Sequence, residues 1–242
     1  MKGKPKPAVA FPPARLAKTA ALADASGWSG ADNTQSLRDL AYEEIKHRII
    51  TCVFKPGEYL NESYVSGILR IGRTPVHQAL DRLMLEDMVE IIPRKGVIVK
   101  PVSLNEVMQI IEARLINECH GVRLAAERAG DEEIATLEDI LARAINWEAV
   151  RHVEQMMLHD REFHLTLARV AGNAVLADIL RRLHDRSLRF WFISLTAPNH
   201  HQVVREQHQA ILDAVRRHDP AAAEAAMRNH IVSFRQNLIQ HL

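Results

Sequence analysis

At 242 residues the chain exceeds one typical domain, and 47% hydrophobic with 25% charged residues is the composition of ordinary soluble globular protein, here expected as two domains. Cys52 and Cys119 are too few for a disulfide framework and unlike a cysteine-based zinc module, and no apolar run approaches the roughly eighteen residues of a membrane span. A reduced cytoplasmic setting without export or membrane follows, while the net charge of +1 is too mild to mark a nucleic-acid binder by electrostatics alone.

Residues 1–35, rich in Lys, Pro, Ala and Gly and without sustained periodicity, are expected to be a disordered basic arm. From Ser36 the pattern becomes regular. Leu37, Leu40, Ala41, Ile45, Ile49 and Ile50 form the apolar stripe of a helix capped by Ser36 and ending before Lys55-Pro56-Gly57. A second helix covers Glu62 to Leu69, and Ile71-Gly72 turns into a third. There Val76, Ala79, Leu80, Leu83 and Met84 follow 3.6-residue spacing, and Pro75 suits the first turn. The opposite face carries Thr74, His77, Gln78, Asp81 and Arg82, hydrogen-bonding side chains of the kind a recognition helix presents to base edges. Val89–Ile92 and Val97–Val99 read as two strands joined by Pro93-Arg94-Lys95-Gly96, a basic turn placed to contact the DNA backbone or minor groove. The predicted unit, residues 36–102, is a winged helix-turn-helix.

These residues resemble the GntR-type bacterial transcriptional regulators through Pro56-Gly57-Glu58-Tyr59-Leu60, Arg73-Thr74-Pro75-Val76, Ala79-Leu80, Leu83 and Gly96. The resemblance implies DNA contacts at Arg73, Thr74, His77 and Gly96. The chain departs from the family at His77, where arginine is usual, at Gly72, where Ser or Thr is usual, and at Gln78 and Asp87, which replace a glutamate and a glycine. An imidazole lacks the bidentate fork with which arginine reads guanine, so an altered or relaxed base preference is predicted there.

Residues 103–242 are read as six helices, Leu104–Arg128, Glu132–Val150, Val153–Val170, Asn173–Leu195, Gln202–Arg217 and Pro220–Leu242, whose short connections favour an antiparallel bundle. Polar residues interrupt three apolar stripes: Asp160 and His164 in Val153-Met157-Asp160-His164-Leu167-Ala171, His208 in Val204-His208-Ile211-Val215, and His230 in Ala223-Met227-His230-Phe234-Leu238. Inward-facing groups of this kind require compensation. Together they form a ligand set suited to Zn, Ni, Fe or Mn, with room for a water or ligand oxygen. His159, His184, His200, His201 and His241 lie off these stripes or near helix ends and are read as surface residues, whereas Phe190, Trp191 and Phe192 are expected to pack the bundle or a dimer seam.

This half resembles the FCD ligand-binding domain of FadR-like GntR regulators, in its smaller VanR-type subgroup, through Asp160-x-x-Phe163-His164, Gly172-Asn173, His208-x-x-Ile211 and Met227-x-x-His230. That resemblance implies a divalent metal, most commonly zinc, on Asp160, His164, His208 and His230, with an effector carboxylate at its free positions. It also implies cavity arginines at Arg114 and Arg186, although Ile116-Asn117 replaces the family's usual Leu-Glu pair. The combined expectation is a mainly α, non-enzymatic, cytoplasmic regulator, nucleoid-associated when DNA-bound. It would bind a palindromic double-stranded operator as a homodimer and act as a repressor relieved by a small carboxylate. The alternatives are a structural metal with no ligand response and a His/Asp metalloenzyme with Glu206 or His159 as base; the latter leaves Arg73, His77 and the wing without purpose.

Overall fold

A computed structural model of the chain describes residues 36–93, 96–101, 103–143, 153–194 and 200–240, with backbone only at 153, 191–194, 200 and 201. The proposed basic arm, the wing residues Arg94 and Lys95, and His241 lie outside the described residues.

Helix α1 (Leu37–Ile50) starts at Ser36, whose hydroxyl accepts from the Asp39 amide at 3.2 Å. Its buried face is Ala41, Tyr42, Ile45, Lys46, Ile49 and Ile50. Leu37 and Leu40, expected on that face, are exposed because the buried face centres on Tyr42, Ile45 and Ile49, which places both on the far side of the helix. Strand β1 (Tyr59–Leu60) leads into α2 (Glu62–Leu69), capped by Asn61, and left-handed Arg70 ends that helix before α3 (Arg73–Leu85). On α3, Val76, Ala79, Leu80 and Leu83 are buried. Met84, expected with them, is exposed, since it lies round the helix from the face centred on Val76, Ala79, Leu80 and Leu83.

Strands β2 (Val89–Ile92) and β3 (Gly96–Val99) pair antiparallel with Val89 opposite Val99 and Ile92 opposite Gly96. Periodicity did not anticipate β1, which adds a third antiparallel strand on the other side of β3, Tyr59 opposite Ile98. Two residues carry too little alternation to be read as a strand. This pairing explains Gly96: its φ is +103°, and a Cβ there would lie 3.0 Å from the Leu60 carbonyl oxygen.

The bundle comprises α4 (Leu104–Arg128), α5 (Asp131–Arg143), α6 (Val153–Val170), α7 (Ala174–Ser194), α8 (His200–Arg216) and α9 (Pro220–Gln240). The expected continuation of α5 to Val150 falls outside the described residues. Helix α4 is the hub, packed against α6, α7, α8 and α9. The three stripes read from the sequence face inward together: Met157, Leu167, Ile211, Val215, Met227, Phe234 and Leu238 are all buried. Each large apolar side chain removed from water contributes about 1.5–3 kcal/mol, which drives the helices together around the polar groups in those stripes. The apolar core is continuous from α1 to α9, and Ser36–Leu242 cluster as one unit, with α1 lying on α7. Among the described residues no helix is long and apolar enough to cross a membrane.

Candidate functional site

Asp160 and His164 on α6, His208 on α8 and His230 on α9 are all buried, and one ligand atom from each lies within 4.8 Å of the others. Asp160 Oδ1 is 3.2 Å from His208 Nε2, 3.7 Å from His164 Nε2 and 4.0 Å from His230 Nε2. The rings are oriented from behind. His164 Nδ1 donates to Glu118 Oε2 at 2.5 Å, and His230 Nδ1 donates to Gln207 Oε1 at 3.0 Å. Phe163 stacks on His208 with centroids 4.6 Å apart.

With each Nδ1 turned to an oxygen behind its ring, both Nε2 atoms point into the cluster and lie 3.2 Å apart. Both Asp160 oxygens and His208 Nε2 are buried without a hydrogen-bond partner. A buried carboxylate whose oxygens accept no aligned hydrogen bond costs roughly several kcal/mol. A divalent cation among the converging ligand atoms relieves that cost, so the residues fit the metal that their types suggested.

The electrostatics keep the ligands in metal-ready form. Burial pushes the imidazoles of His208 and His230 below their ordinary value, the latter well below. Burial disfavours the charge on Asp160, but the surrounding histidines, His164 foremost, outweigh it and hold the carboxyl well below its usual range. Neutral imidazoles and an ionised carboxylate are the states that bind metal.

Sequence reasoning missed two neighbours of this cluster. His184 on α7, expected at the surface, is buried, its Nε2 lying 3.3 Å from Asp160 Oδ2 without the alignment of a hydrogen bond, and burial brings its pKa down to about 4. Its spacing of four from the buried Leu180 and Leu188 was the available signal. Glu118 on α4 pairs with Arg114 one turn earlier; burial opposes its charge, and Arg114 and then His164 hold it ionised well below the usual range. Of the two sequence-predicted arginines, Arg114 is therefore at the cluster wall, its Nη1 also reaching Ser187 Oγ at 3.3 Å. Arg186 is not brought there, being paired with Glu106 at 2.7 Å and Asp87 at 3.0 Å. His159 is half-buried and Phe190 buried, while the side chains of Trp191, Phe192, His200 and His201 lie outside the description.

In the reader, α3 exposes Arg73, Thr74, His77 and Gln78 on one face. Arg82, expected with them, is turned away, its guanidinium 3.5 Å above the Tyr42 ring of α1. His77 Nδ1 bonds Glu62 of α2 at 2.8 Å, and its Nε2 lies 3.5 Å from Asp81. Asp87 has a φ of 63°, the left-handed conformation that favours glycine, and its carboxylate is held by Lys100 and Arg186.

Residues 37–99 match the bacterial regulatory proteins of the gntR family, and residues 109–233 match the FCD domain. The chain belongs to the GntR family. It is a DNA-binding transcriptional regulator with an FCD domain, and not an enzyme. This GntR regulator is 31% identical over 203 residues to the HTH-type transcriptional repressor GlaR of Escherichia coli K12, covering 79% of the chain and 91% of GlaR. It is 34% identical over 137 residues to the Nta operon transcriptional regulator of Aminobacter aminovorans, a match spanning 57% of the chain and 64% of that protein. Its fold resembles that of E. coli McbR/YncC with a TM-score of 0.78 at 22% identity, over 85% of the chain and 98% of McbR.

Proposed function

We propose that this GntR regulator is a repressor that binds a palindromic operator as a homodimer in the cytoplasm and is relieved by a small carboxylate bound at a metal in its FCD domain. Asp160, His164, His208 and His230 hold the cation, zinc first among Zn, Ni, Fe and Mn, since a set without cysteine suits borderline and harder ions. When bound, such an ion supplies a Lewis-acidic position for a carboxylate oxygen. The observation that carries this reading is the convergence of one buried ligand atom from each of the four residues within 4.8 Å, with no aligned hydrogen bond at either Asp160 oxygen. Repression is supported by the similarity to a named repressor.

Arg114 meets the effector's remaining charge from the cluster wall; Arg186, held by Glu106 and Asp87, has no part in this reading. On DNA, Arg73, Thr74, His77 and Gln78 face the major groove, supported by their shared exposed face. The turn through Arg94, Lys95 and Gly96 follows the backbone.

The reading is tested with an operator selected by the protein from randomised duplexes. The zinc-loaded chain is titrated with mono- and dicarboxylates, sugar acids and amino acids while operator affinity is followed. At least one compound is expected to weaken binding about 5- to 150-fold, the usual range of allosteric coupling. A zinc-loaded protein whose operator affinity no compound moves would be a regulator with a structural metal.

A further inference from the structure

Two pairs of consecutive residues connect the His/Asp cluster to the reader. On α6, Asp160 belongs to the cluster and Arg161, the next residue, does not; on α7, His184 borders the cluster and Asp185, the next residue, belongs to a second set of charges. The inner members meet, His184 Nε2 lying 3.3 Å from Asp160 Oδ2. The outer members meet too, Arg161 Nε donating to Asp185 Oδ1 at 2.6 Å.

The outer pair continues into the DNA-binding half. Lys46 of α1 pairs with Asp185 Oδ2 and, at 3.1 Å, with Glu86, the residue that closes the recognition helix α3. The Tyr42 hydroxyl donates to Glu86 at 2.7 Å and accepts from Lys46 at 2.8 Å. Arg181 of α7 reaches both Asp185 and Glu86 at 3.5 Å. Lys46, Glu86 and Asp185 are 2%, 7% and 0% exposed, so water does not screen them as it does surface pairs. Buried ions that separate lose part of the compensation for their burial.

We propose that this charge chain, running from Asp160 and His184 through Arg161 and Asp185 to Lys46, Tyr42 and Glu86, transmits occupancy of the His/Asp cluster to the recognition helix. The inference rests on the metal site proposed above and adds its route of regulation. A cation competes for the Asp160 carboxylate that His184 now faces. Any shift of α6 against α7 then acts on the Arg161–Asp185 pair and so on the Lys46 bridge. The route is short because each inner residue is covalently next to its outer partner.

The test uses the full chain, the selected operator and zinc ion as the probe. Zinc affinity is measured by competition with a chromophoric chelator, and operator affinity is measured with the protein zinc-loaded and stripped. The variants are Lys46→Met/Asp185→Asn, which removes both buried charges together, and the milder Tyr42→Phe. In the wild type, zinc is expected to change operator affinity at least about fivefold. The double variant is expected to bind zinc as the wild type does and to lose that change, with Tyr42→Phe in between. A double variant that fails to fold leaves Tyr42→Phe to decide, by a reduced or an unreduced ratio. A full zinc response in folded variants would overturn the route while leaving the metal site intact. Zinc bound without any response in the wild type would overturn the coupling itself, and no zinc binding would overturn the metal reading and this inference together.

Discussion

Both ring nitrogens of His77 face acids on the exposed side of α3. The hydrogen bond it donates to Glu62, then the charges of Asp81 and Glu62, raise its pKa above the ordinary 6.5. A raised value means the ion pair is fully present below 6.5 and is lost as pH rises through the folded pKa. Titration of the ring by NMR is expected to give a midpoint above 6.5, and Glu62→Gln to lower it. Protonation adds a positive charge to the exposed face of α3 that favours guanine or phosphate acceptors, so operator affinity is expected to fall as pH rises through the raised pKa. His77→Arg, charged throughout, should flatten that dependence and sharpen guanine preference at one operator position. An unchanged preference at every position would remove His77 from the reader.

Behind the cluster, Gln207 fixes His230 through its Nδ1. Gln207→Leu leaves every proposed ligand in place yet frees that ring, and zinc affinity should fall about 10- to 100-fold, as when other supporting partners of metal-bound histidines are lost. Chelator competition reads this directly, and unchanged affinity would show that His230 needs no support.

At the scale of elements, Gly96 holds the wing together where β1 crosses β3. Gly96→Ala imposes a side chain at φ +103° and a contact 3.0 Å from the Leu60 carbonyl oxygen. A loss of roughly 1–3 kcal/mol is expected in denaturant unfolding, with weakened operator binding. Stability equal to wild type would mean that the wing relaxes without cost. The helices were legible because their apolar residues recur at 3.6-residue spacing, and the four proposed ligands were legible because they break those stripes. Strand β1 was not, since two residues have no period. His184 and Lys46 were missed for another reason: each finds its carboxylate on a different helix, Asp160 and Asp185 respectively, and a helical pattern read singly assigns such residues to solvent. Arg186 shows the converse, because similarity of position could not reveal that Glu106 and Asp87 would claim its guanidinium.

At the scale of the molecule, the DNA-binding half and the helical half share one continuous apolar core, so the His/Asp cluster and the recognition helix belong to the same packed unit. Everything proposed about sensing depends on a cation occupying that cluster. The most direct test is zinc stoichiometry and thermal unfolding of the chelator-stripped chain, alone and with zinc, beside Asp160→Asn and His208→Ala. The account predicts one zinc per wild-type chain, stabilisation of about 2.7 kcal/mol when free zinc reaches 100 times Kd, and loss of both in the two variants. Wild-type protein that takes up no zinc, or variants that bind and are stabilised as well as wild type, would contradict it.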